Sequence, residues 1–140
     1  LHDIGHLWVY RFFPAVFERA RARSVENKLP IDVAEREIYG VDHGEIGGWL
    51  AEYWGLPRGI AAAIRYHHQP DTALDDLIVP VVSVAEVLSN ALDLTGRDGN
   101  MVANMSAAAC EKLGIDWSQD LGPLFGRIEA RTEYACRVFR

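Results

Sequence analysis

The 140-residue chain carries 14 basic and 20 acidic side chains, for a formal net charge of −6, and 49% of its residues are apolar. That mix excludes a disordered or fibrous chain, and an acidic balance argues against nonspecific nucleic-acid binding, which needs clustered Lys and Arg. No apolar run approaches the ~20 residues of a membrane helix, and the length suits a single domain spanning 1–140.

Leu1, not Met, opens the chain, and a helix-like segment begins with no cap residue before it. The chain therefore reads as a fragment lacking its N-terminal part. Leu1 to Tyr10 places Ile4, Leu7 and Trp8 at helical spacing. Pro14 suits a first helical turn, where its missing N–H has no partner to lose. Val16, Phe17 and Ala20 then form an apolar stripe, and Pro30 closes that element. Asp32 with Glu35, and Asp42 with Glu45, have the spacing of capping boxes, and both pairs are read as helix caps. Gly40 supplies a left-handed stop between them.

Ile46, Trp49, Leu50 and Tyr53 share one side of the next helix, and the aromatics Trp49, Tyr53 and Trp54 read as packing residues. Gly55 ends it and Pro57 opens another, with Ile60, Ile64 and His67 on one face. A long apolar helix is expected from Val81 to Leu94, followed by a loop from Thr95 to Asn100. Amphipathic helices follow from Met101 to Leu113 and from about Ser118 to Phe139. The valine-rich run Leu77 to Val84 resembles a strand, but one strand makes no sheet, so the fold class is all-α. Cys110 and Cys136 make no disulfide framework and read as reduced thiols of a cytoplasmic protein.

All five histidines, His2, His6, His43, His67 and His68, lie in the first half of the chain. Imidazole and carboxylate groups ligate zinc, manganese and iron, and His2-Asp3 offers adjacent nitrogen and oxygen donors. His67 and His68 sit near a helix C-terminus, whose partial negative charge favours a cation. On spacing alone, a structural role remains the preferred reading for each histidine, with His6 filling an interface. The chain has no glycine-rich phosphate loop and no paired-cysteine zinc motif.

In combination the strings say more. Leu1-His2-Asp3-Ile4-Gly5 resembles the signature of the HD superfamily of metal-dependent phosphohydrolases. Val41 to Leu50, then Trp54-Gly55-Leu56-Pro57 and Ile60 to His68, resemble more narrowly the HDOD domain. The resemblance implies an HD-like multi-helix bundle, found mostly as an output module of bacterial signalling proteins beside receiver or sensory domains. It implies a metal set of His2, Asp3, His43, His67 and His68, with Glu86 of Val84-Ala85-Glu86 standing where catalytic relatives carry aspartate. The ion would be Mn, Fe, Zn or Mg, if one is held at all, and Asp3 would be catalytic only in an active enzyme.

Three departures weigh against activity. The upstream histidine of catalytic HD proteins is not in this chain. His6 replaces the lysine that often follows the dyad. Gln69-Pro70-Asp71 stands where cyclic-di-GMP phosphodiesterases carry Gly-Tyr-Pro, so that hydrolysis is rejected. The expected function is a signal-transduction output domain whose partner is a signalling protein or an attached sensory or receiver domain. The alternative is a phosphohydrolase acting on a nucleotide or similar phosphoester, with a small phosphorylated ligand at the same cleft.

Overall fold

The computed structural model describes residues 1–92 and 103–138. Within them the chain forms α1 (Ile4–Phe12), α2 (Pro14–Asn27), α3 (Ile31–Tyr39), α4 (His43–Tyr53), α5 (Arg58–Tyr66), α6 (Ile78–Ala91), α7 (Ala107–Lys112) and α8 (Trp117–Val138). A 3-10 turn at Pro70–Thr72 joins α5 to α6. The described residues include no strand, so the all-α expectation is met, and 77–84 is helical from Ile78 onward.

Consecutive helices from α1 to α7 pack as neighbours, and α4 is central, lying against both α1 and α5. Its composition explains why. The face formed by Gly44, Gly47, Gly48 and Ala51 has almost no side-chain bulk, and all four residues are buried. A Cβ at Gly47 would sit 2.7 Å from Ile64 Cγ2 of α5. The tightest approach lies on α1, where a Cβ at Gly5 would come within 2.0 Å of the His43 carbonyl oxygen. The start of α1 therefore lies directly on the start of α4.

This glycine face displaces the aromatics. Trp49, Tyr53 and Trp54, expected in the interior, are exposed, Tyr53 by 86%. On α1, Gly5 and Val9 are buried while Leu7 of the expected stripe faces out. Two other boundaries also differ. α2 stops at Asn27 because Lys28 turns left-handed (φ 53°), and Pro30 serves as the N-cap of α3 instead of closing α2. The segment 103–106 is not helical, so among the described residues of the expected Met101–Leu113 helix only Ala107–Lys112 is helical. The expected loop 95–100 lies outside the described residues.

One capping expectation holds and one fails. Asp42 Oδ1 accepts from the Glu45 N–H at 2.8 Å, as an N-cap should, while the Glu45 carboxylate turns aside to Arg36. Asp32 and Glu35 do not form the N-cap of α3. α3 begins at Ile31 with no side-chain cap bond, which puts both acids inside the helix. Glu35 is fully buried.

Two apolar clusters support the bundle. One joins Ala51, Ala61 and Ile64 with Ile4, Leu56 and Ile60. The other joins Val84, Leu88, Ala109 and Cys110 with residues of α8, including Phe125 and Ile128. Cys110 is a free, buried thiol, as its alanine-rich surroundings suggest. No helix among the described residues is long and apolar enough to cross a membrane.

Candidate metal centre

Three helix ends and one helix face supply the site. Asp3 is the N-cap of α1, yet its side chain makes no capping bond, which leaves the carboxylate free to face the bundle. His43 is the first residue of α4, set by the Asp42 cap and by the contact with Gly5. His67 is the C-cap of α5, where its Nδ1–H donates to the Ile64 carbonyl at 2.7 Å, and His68 follows it. Glu86 lies on the inner side of α6.

These elements bring all six expected residues together. His43 Nε2 lies 3.2 Å from His67 Nε2 and 2.9 Å from His68 Nε2. Asp3 Oδ1 lies 3.5 Å from His43 Nε2, 3.8 Å from His67 Nε2 and 3.4 Å from His2 Nε2. Glu86 Oε2 approaches His67 Nε2 to 3.8 Å and His68 Nδ1 to 4.0 Å. Three sets of mutually close donor atoms result, His43 with His67 and His68, Asp3 with His6 and His43, and His2 with Asp3 and Glu86.

Two further residues belong here that sequence reasoning had assigned elsewhere. Glu35 Oε2 accepts both the His43 backbone N–H at 2.8 Å and its Nδ1–H at 2.7 Å. Its Oε1 lies 3.1 Å from His6 Nδ1. The His6 ring stacks on His43 with centroids 3.7 Å apart and planes inclined by 17°. The available signal was periodicity: Ile31, Ala34 and Ile38 define the apolar stripe of α3, and Glu35 falls on it.

The electrostatics favour a cation. Burial alone would raise Glu35 and Asp3, but hydrogen bonding to His43 overrides it and holds both carboxyls well below the usual range. Burial would lower His43, yet Asp3 and Glu35 together push it up to about 10. Burial, followed by neighbouring imidazolium charge, lowers His67 and His68 to about 3 each. Burial, with Asp3 adding to it, raises Glu86 to about 7. Without a metal, one imidazolium thus sits among carboxylates and two neutral imidazoles.

The donor chemistry fits a divalent ion. His67 carries its hydrogen on Nδ1, so its Nε2 offers a lone pair to the hollow. Glu35 fixes the hydrogen of His43 on Nδ1 in the same way, which makes Nε2 the ligating atom once its proton leaves. Nitrogen ligands about 2.0–2.1 Å from a tetrahedral zinc lie about 3.3 Å from one another. The separations of 2.9, 3.2, 3.5 and 3.8 Å around His43 Nε2 and His67 Nε2 bracket that spacing. His43, His67, His68, Asp3 and Glu86 would hold such an ion, which would supply Lewis acidity when bound. A cavity of about 400 Å³ opens beside His67, His68 and Glu86, walled further by Ser83, Asn90 and Met105.

An all-α bundle with a buried histidine–carboxylate cluster at its helix ends defines an HD-related domain. The HDOD domain family model matches residues 1–70, and the chain belongs to that family. An uncharacterized protein of Treponema pallidum is 27% identical over 95 residues, covering 66% of this chain and 18% of that protein. Ribonuclease Y of Thermus thermophilus is 42% identical over 57 residues, 41% of this chain and 10% of the enzyme. The aligned stretch thus spans less than a fifth of either relative. No solved structure matches the chain.

Proposed function

We propose that this chain is a metal-binding regulatory output domain of a bacterial signalling protein, acting in the cytoplasm beside a receiver or sensory domain. The observation that carries this reading is the convergence of His2, Asp3, His43, His67, His68 and Glu86, from four separate elements, on one hollow. A divalent ion there ties the starts of α1 and α4 to the end of α5 and the face of α6. Its occupancy therefore changes how firmly those helices are held, and any partner that reads their surface senses it. Membership of the HDOD family supports a module that works within a longer protein, and so does the small share of each relative that aligns.

The test is calorimetric titration of the chelator-treated chain with Mn²⁺ and Zn²⁺. Saturable binding is expected, weakened in Asp3→Ala and in His67→Ala. No saturable binding of either ion overturns the proposal.

A second reading, metal-dependent phosphoester hydrolysis, has its own support. Asp3 belongs to two of the three donor sets, so its carboxylate would help to hold any ion there, and one relative bears the name of a ribonuclease. An assay on bis-p-nitrophenyl phosphate with Mn²⁺ separates the readings. The output-domain reading expects no turnover, whereas turnover abolished by Asp3→Ala would install the enzyme in its place.

A further inference from the structure

We infer that Glu35, with His6 beside its far oxygen, is the positioning residue that aims His43 into the hollow. The inference deepens the metal-binding reading and rests on it for its effect on affinity, though not for the orientation itself.

The argument starts from burial. Glu35 is 0% exposed, and a carboxylate without water must be satisfied entirely by protein donors. Four groups face it, the Tyr39 hydroxyl among them. The His43 backbone N–H and Nδ1–H both meet Oε2, a two-point grip on one residue that fixes the imidazole ring against the start of α4. His6 meets Oε1. With Nδ1 held, the opposite corner of the His43 ring, Nε2, has one direction available, toward His67, His68 and Asp3.

His6 reinforces this in a second way, through its stacked ring. Asp3 and His6 are one helical turn apart on α1, so Gly5, pressed on the His43 carbonyl, sets both against the same imidazole. Asp3 meets the ligating edge of that imidazole and His6 covers its face. His6 also has a donor atom close to those of Asp3 and His43, which would make it a candidate ligand. The stacking argues otherwise. An imidazole ligates along a lone pair in its own plane, and two near-parallel rings 3.7 Å apart direct those lone pairs side by side, not at one point. His6 therefore acts through Glu35 and His43, not on the ion.

The experiment uses the full chain with Glu35→Gln, Glu35→Ala and His6→Phe, each checked for fold by circular dichroism. In the metal-free protein, the hydrogen shared between His43 Nδ1 and Glu35 should give a slowly exchanging, low-field proton resonance. It should disappear in Glu35→Ala. Affinity for Zn²⁺ should then fall about 10- to 100-fold in both Glu35 variants, and by less than about tenfold in His6→Phe, which keeps the stack but loses the bridge. The visible spectrum of the Co²⁺ form should change in the Glu35 variants, because it reports ligand geometry and not overall stability. If Glu35→Ala does not fold, the isosteric Glu35→Gln decides the affinity and spectral arms.

Absence of the resonance in the wild type overturns the orienting role whatever the metal does. A resonance with no metal binding leaves Glu35 orienting His43 and removes the proposed function instead. Equal affinity and equal Co²⁺ spectra in wild type and Glu35→Gln overturn the inference while the metal-binding reading survives.

Discussion

The interior has two ends of different kinds, and α6 borders both. Toward the histidine end lie Glu35, Asp42, His43 and His67, ionisable groups that are among the most fully buried side chains described. Toward α7 and α8, Val84 and Leu88 pack on Ala109, Cys110, Phe125 and Ile128, where none of the described buried residues carries a charge. Burial of apolar area drives folding at the second end at roughly 25 cal/mol per Å². At the first end, desolvation of the charges offsets much of what their pairing contributes, so the polar interior serves placement more than stability. A fold that needed only cohesion would fill both ends alike.

Gly5→Ala should break that contrast most severely. Its new methyl would fall 2.0 Å from a backbone oxygen, which cannot swing aside as a flexible side chain can. We expect a loss of about 3 kcal/mol in urea denaturation, together with loss of Mn²⁺ binding, because α1 carries Asp3 and His6 away from His43. Unchanged stability would mean that the two helices do not meet so closely. Leu88→Ala probes the other end. It should cost about 2–3 kcal/mol through the cavity it leaves, yet keep Mn²⁺ affinity within about twofold, since Leu88 faces away from the histidines.

How much of this could be read from the residue order differs between the same two ends. The strings around His2-Asp3, His43 and His67-His68 identify the site residues because a resemblance assigns them together; spacing alone favours a structural role for each. Glu35 escaped notice for a physical reason: an acid three residues after another acid, just past a proline, looks the same whether it caps a helix or lies on its buried stripe. The exposed Trp49, Tyr53 and Trp54 show a competition of periods. Positions 46, 49, 50 and 53 form one helical face, and positions 44, 47, 48 and 51 form another. Hydrophobicity selects the first, but close approach of backbones selects the second, and α1 and α5 pack on the glycines. The C-terminal helices were legible in character and less so in extent, since Ser106 caps α7 five residues after the expected start at Met101.

The pH dependence of the metal-free protein sharpens the comparison further. His43 is raised from 6.5 to about 10, so the stability it contributes is complete below pH 6.5 and is lost as pH rises through about 10. His67 and His68 are lowered from 6.5 to about 3, so theirs is complete above pH 6.5 and is lost as pH falls toward 3. Glu86, raised from 4.5 to about 7, opposes the two histidines in part of that acid window. Asp3 and Glu35, held low, add a further loss below their ordinary values of 3.8 and 4.5. Thermal melts should therefore peak near pH 6.5. Glu35→Gln should shrink the alkaline fall, because His43 loses one of its two anions, and Leu88→Ala should lower the whole curve without changing its shape. A curve that changes shape in Leu88→Ala would mean that the two interiors are not independent.

The smallest effect belongs to the residue that joins both ends. Glu86 stands on the helix that also carries Val84 and Leu88, and its carboxylate reaches only to 3.8 and 4.0 Å from the two imidazoles. In Glu86→Asp the charge stays but withdraws toward α6 by one methylene. Since α6 is held by its apolar side, the backbone has no reason to follow, and stability should change by about 0.5 kcal/mol or less. Affinity for Mn²⁺ should fall by less than about tenfold, a smaller loss than in Glu35→Gln, because Glu86 sits at the margin of the donor set and does not orient its centre. An affinity that rises would mean the opposite: α6 would be able to slide toward the histidines to seat a shorter acid, and the apolar interior would be the adjustable half of the molecule.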